Sequence, residues 1–524
     1  MGLLVGLRVG GPPGYDAAMW WRGRFGARLN RRVQRSALLL SVMFAVTGGL
    51  AIAAVTWWLL WLALGARAET PNQLDLTKIA LSVAAGVGAA VALVVAYRRQ
   101  RDSERSRFAE LFGAAARQLG DPDVAVRIAG VYAMAGVADE FGAVSRRQQC
   151  IDVLCGYLRL PYEPDAGANH LVSRTETVDG ASKVELRYQF RQNDQEVRRA
   201  IVDVIVAHLR PSAEISWSDR DFDFAGAVLE SCDFRYAVFA GERTYFARTV
   251  FIGPRPTTFE YARFIGRYIS FRDAEFRGER TLFRQTEFAA REGGRSERRG
   301  RGVRFEGARF DTLVSFERAV FRGPEVCFRG AAFADVAQFG QARFRTELTD
   351  FRSVVFAGEQ TEFTAVRFHG ATTTFENATL DGTRIRFDDT EFAGPVISFK
   401  DVQFYAGRII FAATRFGVRS RWRQGPPVRT DFTGAEYHGT VSFDDAILDG
   451  RTVDFTGGDF FGEISFRRTA FAAAEIDFSR PRSWVGTEFF WDPDPSLKPA
   501  TVKPDPWPPV PAAPPPGDAD GSAD

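Results

Sequence analysis

FRSVVFAGEQTEFTAVRFHGATTTFENATLDGTRIRFDDTEFAGPVISFKDVQFYAGRIIFAATRF, residues 351–416, is the stretch that decides the fold. Phe351, Phe363, Phe375, Phe387, Phe399 and Phe411 stand twelve residues apart. Between them lie Phe356, Phe368, Leu380, Phe392, Phe404 and Phe416, so the step alternates between five and seven. Bulky apolar residues at so regular a spacing mean that one kind of buried position is used repeatedly. Outward from this stretch the ladder runs earlier through Phe246, Phe251, Phe259, Phe264, Phe271, Phe276, Phe283 and Phe288, resumes at Phe305 after a gap, and ends through Phe455, Phe460, Phe466, Phe471 and Phe478. It explains why 47 of the 524 residues are phenylalanine.

Two residues before a rung the chain prefers Ala, Thr, Val or Ile, as at Ala274, Ala342, Ile385, Ile397 and Ile409. In a strand, side chains alternate between faces, so two inward positions around one outward position make a short strand segment. A step of five then turns a corner and presents a new inward pair. The step of seven often carries glycine two residues after its first aromatic, at Gly266, Gly278, Gly358, Gly370, Gly382, Gly394 and Gly462. Glycine is expected there to supply the torsions of a wider corner. Two twelve-residue units close one coil of twenty-four, and the ladder predicts roughly ten coils stacked over about 50 Å.

FRDAEF at 271–276 and FENATL at 375–380 carry a small residue, a polar residue and a central Phe or Leu in sequence. This pattern resembles the pentapeptide repeat family. The resemblance spans residues 221–480 and implies a mainly β solenoid, the right-handed quadrilateral pentapeptide-repeat β-helix with four short faces per coil. The seven-residue step is the departure from the family's regular twenty-residue coil.

Two stretches interrupt the ladder, AAREGGRSERRGRGV at 289–303 and GVRSRWRQGPPVRTD at 417–431. Insertions in repeat proteins form loops outside the core, and a solvated loop is the plain reading of both. Arg295, Arg298, Arg299 and Arg301 are the candidate contacts to a partner or an anionic surface.

N-terminal to the repeat, residues 37–65 and 79–97 carry no charge. About 20 apolar residues suffice to cross a bilayer as a helix. Six arginines between Arg22 and Arg35 precede the first run, and five between Arg98 and Arg107 follow the second. By the positive-inside bias this predicts a two-helix transmembrane hairpin at 37–97 with both termini in the cytoplasm. The lipid bilayer is then one partner. The segment 1–36 is a basic cytoplasmic extension, and 98–220 is a helical juxtamembrane domain with a break at residues 120–123 and a polar loop over 165–183. The β-helix occupies 221–480, and a Pro-rich tail at 481–524 is read as disordered. Residues 508–516 within it are a candidate polyproline ligand.

Cys150, Cys155, Cys232 and Cys327 are too few and scattered for a disulfide framework and have no zinc-ligand spacing. His170, His208, His369 and His438 are far apart, with no phosphate-loop or dinucleotide glycine motif beside them. No catalytic residue, cofactor or metal is expected. The expected function is a non-enzymatic, membrane-anchored cytoplasmic scaffold for an unidentified cytoplasmic or membrane protein. Within the resembled family, some members mimic DNA and protect gyrase. Residues 222–478 carry 36 Arg plus Lys against 36 Asp plus Glu, which disfavours that alternative and nucleic acid as a partner. A component of a transport or channel assembly is disfavoured because neither run holds an ionisable residue.

Overall fold

The computed structural model describes residues 47–48, 51, 54–55, 58–59, 62, 72–164, 173–178, 184–189, 191–291, 302–417 and 427–511. The chain forms two compact units, residues 1–110 and 111–524. Helix α1, Asn72–Leu119, contains the whole uncharged run 79–97. Leu93, Val94, Val95 and Tyr97 are exposed on it. Among the described residues no helix is long and apolar enough to cross a membrane, so the expected hairpin has no support there. Most of the run 37–65 lies outside the described residues.

In the second unit the break at 120–123 ends α1, and Asp123 opens α2, Val124–Glu140, by accepting a hydrogen bond from Ala125 N at 2.7 Å. Helices α3, Val144–Leu158, and α4, Asp194–Leu209, pack against α2. Val131, Met134, Leu154, Ile201 and Ile205 are fully buried between them. The loop expected over 165–183 is corrected in part. Strand β1, Ser173–Val178, pairs antiparallel with β2, Val184–Gln189. Thr175, Thr177 and Val178 suit a pleated strand, but the polar residues around them conceal it from a search for apolar periodicity.

From residue 222 the chain is a parallel β-solenoid. One sheet of eleven strands takes one strand from each coil and sets the count at about eleven coils. A single coil has four strand segments, for example Val355–Phe356, Gln360–Glu362, Arg367–Phe368 and Thr372–Thr374. Val355 pairs with Thr379 and Thr379 with Gln403, a register of 24 residues, as the double repeat predicts. Two neighbouring faces merge into one sheet where Val320–Cys327 and Arg343–Asp350 run on around a corner.

The core is made of stacked rings. Phe351, Phe375 and Phe399 lie face to face at 4.8 and 4.9 Å, and Phe363, Phe387 and Phe411 do so at 4.8 and 4.7 Å. The two columns meet edge to face, Phe351 against Phe363 at 6.0 Å and 88°. Each arrangement suits the ring quadrupole, offset within a column and T-shaped between columns. The small residue two before a rung has a second role when it is threonine. Thr414 Oγ1 donates to Phe387 O at 2.6 Å and Thr469 Oγ1 to Phe443 O at 2.8 Å, each bond joining successive coils inside the core.

The expected role of the glycines is corrected. None of Gly266, Gly278, Gly358, Gly370, Gly382, Gly394 and Gly462 has positive φ. They are glycine because coils approach closely there: a Cβ on Gly382 would lie 2.3 Å from Gly358 O, and one on Gly394 2.3 Å from Gly370 O. Left-handed backbone occurs instead in the tight five-residue corner, two residues after a central rung, at Asp273, Ser353, Ala365, Asn377, Asp389 and others. There the residue after it donates back to the rung, as Ala378 N does to Phe375 O at 2.9 Å.

Both ends of the solenoid are covered within this unit. Gln148 of α3 behaves like a strand edge towards the first coil, its Oε1 accepting from Asp221 N at 3.0 Å and its Nε2 donating to Asp221 O at 2.8 Å. At the other end the boundary drawn at 480 falls too early. Strands Ser483–Trp484, Thr487–Phe489 and Val502–Lys503 continue the pairing, and Trp491 and Val502 are buried. Trp507 stacks edge-on against Trp484, Phe489 and Trp491 at 5.5, 5.0 and 5.6 Å. Residues 481–511 are therefore an ordered plug rather than a disordered tail, because their tryptophans bury enough apolar surface to offset the Pro-rich composition. Residues 512–524 lie outside the described residues.

Candidate functional site

The ladder residues Phe351, Phe356, Phe363, Phe368, Phe375, Leu380, Phe387, Phe392, Phe399, Phe404, Phe411 and Phe416 are buried throughout, which leaves them no access to a ligand. Arg295, Arg298, Arg299 and Arg301 lie outside the described residues. The strands that flank the interruptions are described and fix where each one leaves the fold. Glu287–Ala289 and Arg415–Phe416 belong to one face, connected in register through Val320, Arg343, Arg367 and Glu391. Gly302–Arg304 and Arg429–Asp431 resume on the next face, connected through Cys327, Asp350, Thr374 and Ser398. Both interruptions thus leave from the same corner.

At that corner Glu325, Cys327 and Asp350 bring their ligand-type atoms within 4.8 Å of one another. Their neighbours decide what they can do. Asp350 is fully buried and accepts from Arg329 Nη2 and Arg352 Nη2, each at 2.7 Å, and from Arg352 N at 3.0 Å. Burial pushes its carboxyl up, but the hydrogen bonds from Arg352 and Arg329 prevail and hold it below the ordinary aspartate value. Burial pushes the Cys327 thiol up to about 12, which keeps it protonated. Glu325 is also raised by burial and faces Arg304 at 3.2 Å. A cation would have to displace these guanidinium groups and deprotonate the thiol, so the donor set does not fit a metal. It fits a buried carboxylate neutralised by its own arginines.

A cleft opens where the helices meet the first coils, lined by Tyr162, Arg198, Arg199, Glu230, Ser231 and Arg255 among others. Tyr162 donates to Glu230, Gln195 Nε2 donates to the same carboxylate at 2.8 Å, and the Arg198 guanidinium lies 4.2 Å from the Tyr162 ring centre. Behind the cleft Asp194 accepts from Arg127 at 2.7 Å and from Arg198 at 2.8 Å. These groups engage one another, with Arg127 Nε left without a partner among the described residues, and the contacts to Glu230 hold the helices to the solenoid. The histidines are dispersed. His208 stacks on Trp217 at 4.0 Å and faces Asp139 at 3.0 Å; His369 faces Glu391 at 3.1 Å; His438 lies between Tyr405 and Phe461. His170 is outside the described residues. The four cysteines are buried and unpaired.

The sequence reading missed the Asp350 and Asp194 networks. Their signal is faint: a charged residue directly before an inward rung, as in Asp350-Phe351, and an arginine in the apolar face of a helix, as at Arg127. Comparison with protein-family models, curated proteins and solved structures found no match.

Proposed function

We propose that this chain is a non-enzymatic scaffold of the pentapeptide-repeat kind, right-handed in its winding, anchored in the cell membrane with its β-helix and both termini in the cytoplasm. One observation carries the scaffold reading: the inward positions are filled by phenylalanine columns, so recognition is left to the outward faces and corners. In support of the anchor stand the uncharged runs at 37–65 and 79–97, the arginines that flank them, and the exposed Leu93, Val94, Val95 and Tyr97. A protein partner is the expected occupant of the faces.

Alkaline carbonate extraction of native membranes tests the anchor, and release of the chain into the soluble fraction overturns it. A cysteine at Gln73 is expected to react with an impermeant reagent on intact cells and one at Ala523 only after permeabilisation; labelling of both from outside overturns the orientation. Proximity labelling in the same membranes tests the scaffold. No protein enriched over an unrelated anchored control would overturn it.

A further inference from the structure

One face of the solenoid carries two register pairs of arginines side by side, where a lone pair such as Arg384 and Arg408 stands on another face. Followed coil by coil, its outward positions are Arg263, Glu287, Val320, Arg343, Arg367 and Glu391, each in register with the next. Arg263 Nε donates to Glu287 at 3.0 Å, whereas Glu391, in register with Arg367, faces His369 at 3.1 Å. Arg343 and Arg367, however, are direct neighbours, both exposed, and neither has an ion pair among the described residues. Two residues along the strands Arg322 and Arg345 are neighbours in register; Arg322 reaches Glu287 at 3.5 Å, and Arg345 is without an acid partner among the described residues. The Phe344 and Phe368 rings beneath are 4.8 Å apart, so these guanidinium groups start from backbones one coil apart. Like charges side by side in a sheet destabilise it, and folding gains nothing from this arrangement.

We propose that Arg322, Arg343, Arg345 and Arg367 form a docking surface for a short, extended acidic segment of a protein partner. The inference rests on the scaffold reading only in taking the partner to be a protein. Charge complementarity selects an anion, and three features select a short acidic peptide. Arg343 and Arg345, two residues apart on one strand, are separated by about 6.6 Å, the spacing of same-side carboxylates in an extended peptide. Glu287, paired with Arg263 and Arg322, bounds the patch at one end and Glu391, facing His369, at the other. The unpaired charge between them is confined to Arg343, Arg345 and Arg367, the reach of a short segment rather than of a long polyanion or a bilayer. No Phe, Tyr or Trp stands outward among these described positions to stack on a nucleic-acid base.

The test uses the full chain in detergent micelles and a fluorescein-labelled peptide of alternating Glu and Ser, followed by anisotropy. Saturable binding that weakens with added salt is expected. The double variant Arg343→Ser with Arg367→Ser should lower affinity roughly tenfold. Arg384→Ser with Arg408→Ser, a register pair of exposed arginines on another face, should leave it unchanged. Arg343→Glu is a second variant that restores the alternation seen at Arg263 and Glu287, since it stands between Val320 and Arg367; it should raise thermal stability slightly while abolishing binding. Absence of binding, equal loss in the control pair, or tighter binding of a single-stranded oligonucleotide or a phosphatidylserine vesicle in competition would overturn the proposal. Carbonate extraction of the same variants reports on the anchor alone and separates the two readings.

Discussion

Tyr437 stacks on Phe404 at 4.9 Å in a column of hydrocarbon rings, and its buried hydroxyl has no hydrogen-bond partner among the described residues. Burial pushes that hydroxyl well above the ordinary tyrosine value, so it stays a neutral, unsatisfied group. A polar group left unpaired in an apolar core costs about 1–3 kcal/mol. Tyr437→Phe is therefore expected to stabilise the solenoid by about 1 kcal/mol or more, read as a higher denaturation midpoint. A lower midpoint would show that the hydroxyl has a partner.

The glycines of the wide corner and those of the tight corner should respond differently to alanine. At Gly382 the new Cβ would meet the backbone oxygen of Gly358 at 2.3 Å, and that backbone is fixed by the coil beneath it. At Gly330 there is open space, and the cost is only that of a left-handed residue at φ 65°. Gly330→Ala should cost about 1 kcal/mol, and Gly382→Ala clearly more. Equal midpoints would mean that the coils can separate without penalty.

The ladder predicts a sharp contrast between inward and outward substitutions. Phe399 is fully buried, with rings above and below it at 4.9 and 5.0 Å. Phe399→Ala should destabilise by about 3–5 kcal/mol, whereas Arg384→Ala, at an exposed position, should change little. Hydrogen exchange would place the loss in the coils around Phe399, since repeat stability is local.

Asp350 makes stability depend on acid in a definite sense. Its carboxyl is held below 3.8 in the folded chain, so its contribution is present above that value and lost as pH falls through the folded value. Glu325, raised above 4.5 by burial, acts in the opposite sense: its contribution is full below 4.5 and lost as pH rises through the folded value. At neutral pH Asp350→Asn should cost roughly 1–2 kcal/mol, a modest figure because Arg329 and Arg352 still reach solvent. The variant should also lose less stability than the parent between pH 5 and strong acid. A parallel acid profile in both proteins would overturn this account.

The ladder was legible in the sequence because burial of a ring at every corner leaves an uninterrupted period, and the same period gave the 24-residue coil. The glycines were misread because their constraint comes from the coil beneath, 24 residues away, and not from their own torsions. The C-terminal plug was hidden by proline, although Trp484, Trp491 and Trp507 were its signal. The basic face could not be seen in a linear reading, since Arg343 and Arg367 become neighbours only when the sequence is written in rows of one coil. The Asp350 network depends on side chains from three successive coils and has no local motif.

Parallel coils can stack without limit, because each presents below the strand pattern it receives above. In this chain Gln148 occupies the backbone of the first coil, and the tryptophan plug covers the last. Without either, one molecule's terminal coil would be a template for another's, and concentrated protein would grow head-to-tail filaments. Rod length is then free to change by duplication of a coil, whereas the two ends must be inherited whole.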